Sequence, residues 1–269
     1  MEETNNKTEW LRHAENCVVF YTAPNIPARH AFTTRLGGVS TGVLESLNLS
    51  VRRGDTQETV RENFRRLSEA TGMDLSRMVY ARQVHGTQVH LARAAELQPS
   101  EREPLFLCDG FVTAEPGVPI AVFMADCLPV LLHDPVHHVI GAVHCGWRSS
   151  VADILSEALR QMTALGACVR DVRAAIGPGI GWDHFEVGAE VVEAAERLLG
   201  DVAPFVRRNG AGRPMLDLKG VNAARLRQLG VPAEQISVSG LCTMCMPETF
   251  WSHRATNGQR GVQAAILTL

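Results

Sequence analysis

Residues 119–147, PIAVFMADCLPVLLHDPVHHVIGAVHCGW, decide the fold. Residues 119–125, 128–133 and 139–144 are three closely spaced runs rich in Val, Ile and Leu, each of strand length, and they predict the strands of one core sheet. Asp126-Cys127 interrupts the first pair and Gly146 follows the third. Cys127 and His144 therefore fall where strands end or break, positions from which side chains reach clefts.

Upstream, residues 78–90 predict a strand, a turn at Gly86-Thr87 and a second short strand, with His85 at a strand end. His85, Cys127 and His144 are thus a dispersed trio of soft-metal ligands. Two imidazoles and one thiolate fill three corners of a zinc tetrahedron and leave the fourth for water or substrate, the pattern of catalytic rather than structural sites. His90, His133, His137, His138 and His184 fit surface or hydrogen-bonded roles. Cys242-Thr243-Met244-Cys245 is a single C-x-x-C pair without an ordered third and fourth ligand, so buried thiols are expected there.

The remaining chain supplies scaffold. Residues 18–34 are β-prone but interrupted by Pro24 and Pro27, as in an irregular or edge strand, and lead into a Gly37-Gly38 turn. Asp55 is the expected cap of a helix ending at Gly72, with Val60, Phe64 and Leu67 as its buried stripe and Arg61, Arg65 and Arg66 on its solvated face. Ser149 or Ser150 is the expected cap of a helix over 151–165. A strand over 172–176, a turn at 177–181, helices over 187–199 and 218–229, and closing strands over 235–238 and 261–269 complete the pattern.

The chain has 269 residues, 45% hydrophobic and 20% charged, with no linker-like composition break. That predicts one domain over 17–269 and a flexible tail over 1–16. A net charge of −3 offers no broad surface for nucleic acid. The polar start lacks the form of a secretory signal, no apolar run reaches membrane-spanning length, and seven cysteines suit a reducing compartment, so the expected location is cytoplasmic.

The ordered motifs Thr33-Thr34-Arg35-Leu36-Gly37-Gly38-Val39-Ser40, Ser46-Leu47-Asn48-Leu49, Gln83-Val84-His85-Gly86, Ala125-Asp126-Cys127-Leu128-Pro129 and His144-Cys145-Gly146-Trp147-Arg148 closely resemble those of the laccase-domain family. That family is also known as multicopper polyphenol oxidase, purine nucleoside phosphorylase of the laccase-domain type, or peptidoglycan editing factor. The resemblance extends through residues 176–188. It implies a single α+β domain with mixed β-sheets packed between helices, layered α/β/β/α, and zinc on His85, Cys127 and His144. It further implies phosphorolysis of adenosine, inosine, guanosine and methylthioadenosine, with adenosine deamination. Three positions depart from the family pattern: Cys145 for Ala, Ser149 for Gly and Gly179 for Cys. Cys145 places an additional thiol beside His144, where it is expected to bias the choice of metal.

For deamination, Asp126 is the candidate proton carrier, or else an orienter of a ligand histidine. Arg35 and Arg148 suit phosphate or ribose, because guanidinium binds oxyanions bidentately. Asn48 and Gln83 are candidate hydrogen-bonding partners of sugar or base. None of the ten histidines forms the H-x-H pairs of a multicopper cluster, which argues against oxidase chemistry, although two His and one Cys also bind Cu2+. The alternatives are a hydrolase that removes a misincorporated amino acid from a muramyl nucleotide, and a non-catalytic zinc-stabilised interaction protein.

Overall fold

In the computed structural model, which describes residues 9–269, the three apolar runs form strands Ile120–Met124, Leu128–Asp134 and Val139–Cys145. They do not share one sheet. Leu128–Asp134 and Val139–Cys145 pair antiparallel, from Leu128 opposite Cys145 to Asp134 opposite Val139. They occupy the middle of a six-stranded sheet ordered Ile236–Val238, Arg173–Ile176, Leu128–Asp134, Val139–Cys145, Gly110–Thr113, Val89–Leu91. Ile120–Met124 is instead an edge of a five-stranded sheet, after Leu11–Glu15, Val18–Thr22, Arg29–Thr33 and Gln263–Thr268. The chain crosses between the sheets over Ala125, Asp126 and Cys127, with Asp126 at a φ of +86°.

Six α-helices accompany the sheets among the described residues: α1 (Gln57–Thr71), α2 (Trp147–Val151), α3 (Ile154–Ala164), α4 (Ala189–Leu199), α5 (Leu218–Gln228) and α6 (His253–Thr256). Every residue of Leu128–Asp134 and Val139–Cys145 is buried because both faces of this pair are covered. Leu128, Val130, Leu132, Val139 and Val143 face a core built with α3, α4 and α5. Leu131, Ile140 and Ala142 face Phe32, Ile120, Val122, Ala265 and Leu267 of the second sheet. That sheet turns Val18, Phe20, Ala31, Ala264 and Ile266 outward onto Val60, Phe64 and Leu67 of α1. The result is the α/β/β/α layering of a single α+β domain.

Several expected boundaries change. Leu11–Glu15 pairs with Val18–Thr22, so residues 11–15 belong to the sheet rather than to the expected tail, and residues 1–8 lie outside the described residues. Val18–Thr22 and Arg29–Thr33 are interior strands, because Leu11–Glu15 takes the edge. The strand, turn and short strand expected over 78–90 appear as short strands that do not pair with each other: Ala81–Arg82 pairs with Phe106–Leu107, while Val89–Leu91 joins Gly110–Thr113. Thr56, not Asp55, caps α1, its Oγ1 accepting from the Thr59 N–H at 3.1 Å. Asp55 accepts instead from Ser40 Oγ and Asn48 Nδ2, each at 2.7 Å. The single helix expected over 151–165 is two, broken at Asp153, whose φ is +69°. Ser149 and Ser150 lie inside α2, and Ser149 Oγ donates to the carbonyls of His144 and Gly146 at 3.0 Å.

Phe64 joins α1 to the outer sheet face and is 2% exposed. Phe64→Ala is expected to lower unfolding stability by about 3–5 kcal/mol, measured by urea denaturation. A loss below about 1 kcal/mol would contradict its place in that core.

Candidate metal centre

The site forms where the sheet crossing meets two loop ends. His85, at a φ of +60°, and Cys127 approach His144 at the end of its strand, and their ligand atoms all lie within 4.8 Å of one another. Cys127 Sγ is 3.8 Å from His85 Nε2, and the two imidazole rings stand edge to face at 4.9 Å. Gly146 makes this closeness possible: a Cβ there would sit 2.8 Å from His85 Cδ2 and 3.2 Å from the Cys127 sulfur.

Asp109 holds the arrangement. Its fully buried carboxylate accepts from the backbone N–H groups of Val84 (3.1 Å), His85 (2.9 Å) and Gly86 (2.8 Å), and from His144 Nδ1 at 2.9 Å. Its own carbonyl accepts the His144 N–H at 2.7 Å. Burial would raise the Asp109 pKa, but the imidazole and amides outweigh it and hold the group below its ordinary value. With Nδ1 bound to Asp109, His144 keeps Nε2 for a ligand. Burial likewise opposes ionisation of Cys127, yet the neighbouring His144 and His85 bring its thiol down to about 6. Two imidazoles and a sulfur inclined to be thiolate match the donor preference of zinc, and also that of copper.

The other expected site residues have structural partners. Both Asp126 oxygens are engaged, Oδ1 by Thr243 Oγ1 at 2.6 Å and Oδ2 by the Arg254 N–H at 2.7 Å. It therefore ties the crossing to α6, and the histidine-orienting carboxylate is Asp109. Asn48 is fully buried, donating to Ser50 O and Asp55 and accepting from the Val262 N–H. Arg35 donates to the carbonyls of Glu45 and Pro247 and stacks 3.9 Å over Trp251. Arg148 lies 4.3 Å over Trp147 and outside the cavity lining. Gln83 does line the cavity, but its amide is paired with the N–H and C=O of Phe123 at 2.7 and 2.6 Å. Cys145 is buried in the core on the opposite strand face from His144 and does not join the trio.

A cavity of about 330 Å³ opens over the trio and is lined by Arg52, Arg53, Arg82, Arg102 and Arg260. These cations were not singled out in the sequence, since isolated arginines in loops carry no spacing signal. Arg260 is the most constrained of them. Its Nε is buried without a hydrogen-bond partner, and burial together with nearby Arg53 brings its pKa down to about 10. A guanidinium in this state is prepared for an anion.

Layered sheets, a Cys/His trio at the crossing and a basic cavity above it define the class. The chain belongs to the family described as multi-copper polyphenol oxidoreductase laccase, whose model matches residues 29–269. It is 40% identical to "Purine nucleoside phosphorylase" of Deinococcus radiodurans, across 92% of this chain and 91% of that one. It is 34% identical to "Adenosine deaminase RL5" from an unknown prokaryotic organism, across 86% and 90%. The crystal structure of YlmD from Geobacillus stearothermophilus superposes with a TM-score of 0.88 at 31% identity, covering 97% of this chain and 98% of that one.

Asp109→Asn removes the negative charge that orients His144 and the His85 loop. Affinity of the trio for zinc is expected to fall about 10- to 100-fold, read by competition with a chromophoric chelator. Unchanged affinity would show that the trio is organised without Asp109.

Proposed function

We propose that this chain is a zinc-dependent purine nucleoside phosphorylase, acting on adenosine, inosine, guanosine and methylthioadenosine, that also deaminates adenosine. The observation that carries this proposal is one cavity lined by His85, Cys127 and His144 together with five arginines, among them Arg260, whose Nε is buried without a hydrogen-bond partner. The relatives named for phosphorylase and deaminase activity support it.

Phosphorolysis joins a phosphate oxygen to the anomeric carbon, breaks the bond to the purine nitrogen, and releases ribose 1-phosphate and a protonated base. Arg260 and Arg53 suit the phosphate, because two guanidiniums neutralise its charge and fix its oxygens. The cavity also presents Tyr80 and Phe123, apolar surface suited to a purine. Arg35, Asn48 and Arg148, engaged elsewhere, are replaced in this assignment by the cavity arginines. Deamination exchanges the purine amine for a water oxygen and releases ammonia. Zinc on the trio would supply a Lewis acid that lowers the pKa of water in the remaining position. Its chain-borne support is the Asp109 clamp, which binds the His85 backbone N–H and the His144 imidazole and so holds the two residues together.

Zinc is assigned over copper because none of the ten histidines forms an H-x-H pair of the laccase kind, while copper can still occupy the trio by affinity. A cytoplasmic location fits the seven free cysteines. No helix among the described residues is long and apolar enough to cross a membrane.

Zinc-loaded protein incubated with adenosine should yield adenine and ribose 1-phosphate only when phosphate is present, and inosine without it, as resolved by chromatography. Arg260→Ala should cost phosphorolysis about 1.5–3 kcal/mol, roughly 10- to 150-fold in kcat/KM for phosphate, and affect deamination less. No turnover of adenosine under either condition removes the nucleoside assignment. Equal losses in both reactions remove the phosphate role of Arg260.

A further inference from the structure

A second set of soft donors lies outside the cavity of the first. His184, Cys242 and Cys245 each offer a ligand atom, all within 4.8 Å of one another, and His184 Nε2 is 3.1 Å from Cys245 Sγ. The grouping follows from topology. Strands Arg173–Ile176 and Ile236–Val238 are parallel neighbours, so the loops that follow them leave the sheet at the same end. Pairing continues beyond the strands through a parallel bridge between Gly179 and Cys242 and a 3.2 Å bond from the Thr243 N–H to the Gly179 carbonyl.

The Gly181 N–H donates to Cys242 Sγ at 3.1 Å, and a Cβ on Gly181 would crowd that cysteine at 3.2 Å. Lys219, anchored by 2.7 Å bonds to the carbonyls of Ser239 and Leu241, lines the same cavity as both sulfurs. Cys242 is buried, but Cys245 is exposed, which does not fit a pair of thiols serving only as core packing. An adjoining cavity of about 470 Å³, bordered by Trp182, Asp183 and Gly240, gives an ion access and a fourth ligand from solvent.

We propose that His184, Cys242 and Cys245 form a second metal site, selective for a zinc-class divalent cation, that staples the loop after Arg173–Ile176 to the loop after Ile236–Val238. Both cysteines bind as thiolates, their protons pass to solvent, and their two charges balance the ion. The staple bears on the first site, because Thr243, between the two cysteines, donates to Asp126 at the sheet crossing, one residue before Cys127. Arg254 adds a 3.4 Å bond to the His184 carbonyl from the same α6 that Asp126 holds.

The test uses full-length protein, stripped of metal, reduced and titrated anaerobically with Co2+ alone. Stoichiometry is read by elemental analysis, and the number of bound thiolates by the intensity of the sulfur-to-cobalt charge-transfer band. Wild type should bind two equivalents. Cys127→Ala should keep one equivalent with a two-thiolate band, and Cys245→Ser should keep one equivalent with a single-thiolate band. His184→Ala should weaken the two-thiolate equivalent at least tenfold, and Cys127→Ala combined with Cys245→Ser should bind none. In Cys245→Ser the surviving single-thiolate band also reports an intact fold. Only one equivalent in wild type with a single-thiolate band, none in Cys127→Ala, or two retained in Cys245→Ser overturns the second site, whereas one wild-type equivalent with a two-thiolate band overturns the first. None of these readouts uses nucleoside turnover, so they stand apart from the assigned activity.

Discussion

A buried carboxylate is among the costliest groups a fold can contain, and Asp109 is tolerated because four donors converge on it. Three are consecutive backbone N–H groups from residues 84–86, which forces that loop into a tight curl and places His85 in left-handed backbone. The fourth is His144, from a neighbouring strand of the same sheet. Meeting the hydrogen-bonding demand of one side chain therefore orients two of the three ligands. The third, Cys127, arrives independently, on the segment that carries the chain from one sheet to the other.

The same economy of position governs the basic cavity. Arg53 and Arg260 come from segments far apart in sequence, and each loses favourable hydration as it is covered. Like charges brought together in a partly desolvated place raise the energy of the empty protein and lower it again when an anion enters. Such an arrangement contributes nothing to folding, which distinguishes it from the ion pairs along α1, where Arg65 and Arg66 meet Glu62 on the surface.

Strand content was legible wherever burial imposes a pattern: the apolar runs around residues 120–145 and the Val60, Phe64, Leu67 stripe reappear as elements of the core. Their distribution between sheets was not, because an apolar run indicates burial on two faces without naming the neighbour. The trio was legible through its residue types beside strand ends and the motifs around them. Asp109 was not, since a lone aspartate before a glycine is ordinary turn chemistry until its four donors are placed in space. Asn48 and Arg35 were legible as motif residues but not in their structural partners. Their motifs are conspicuous, but their hydrogen bonds close a local frame that includes Asp55, Glu45 and Pro247. His184 offered no signal either, because it lies 58 residues or more from the C-x-x-C pair and meets it only through the parallel strands.

Strand parity explains why neighbouring residues at the centre do such different work. His144 and Cys145 are adjacent, yet alternate side chains of a strand point to opposite faces. His144 therefore reaches Asp109 and the trio, while Cys145 enters the helix-side core, where burial holds its thiol neutral. A sulfur one residue from a member of the trio is thereby kept out of the trio by geometry, with no need for bulk to exclude it. Gly146 then ends the strand with no side chain, leaving room for His85 and Cys127 to close over the point that His144 faces. Three consecutive positions, His144, Cys145 and Gly146, thus supply a ligand, a core residue and a gap, and the site requires the three in that order.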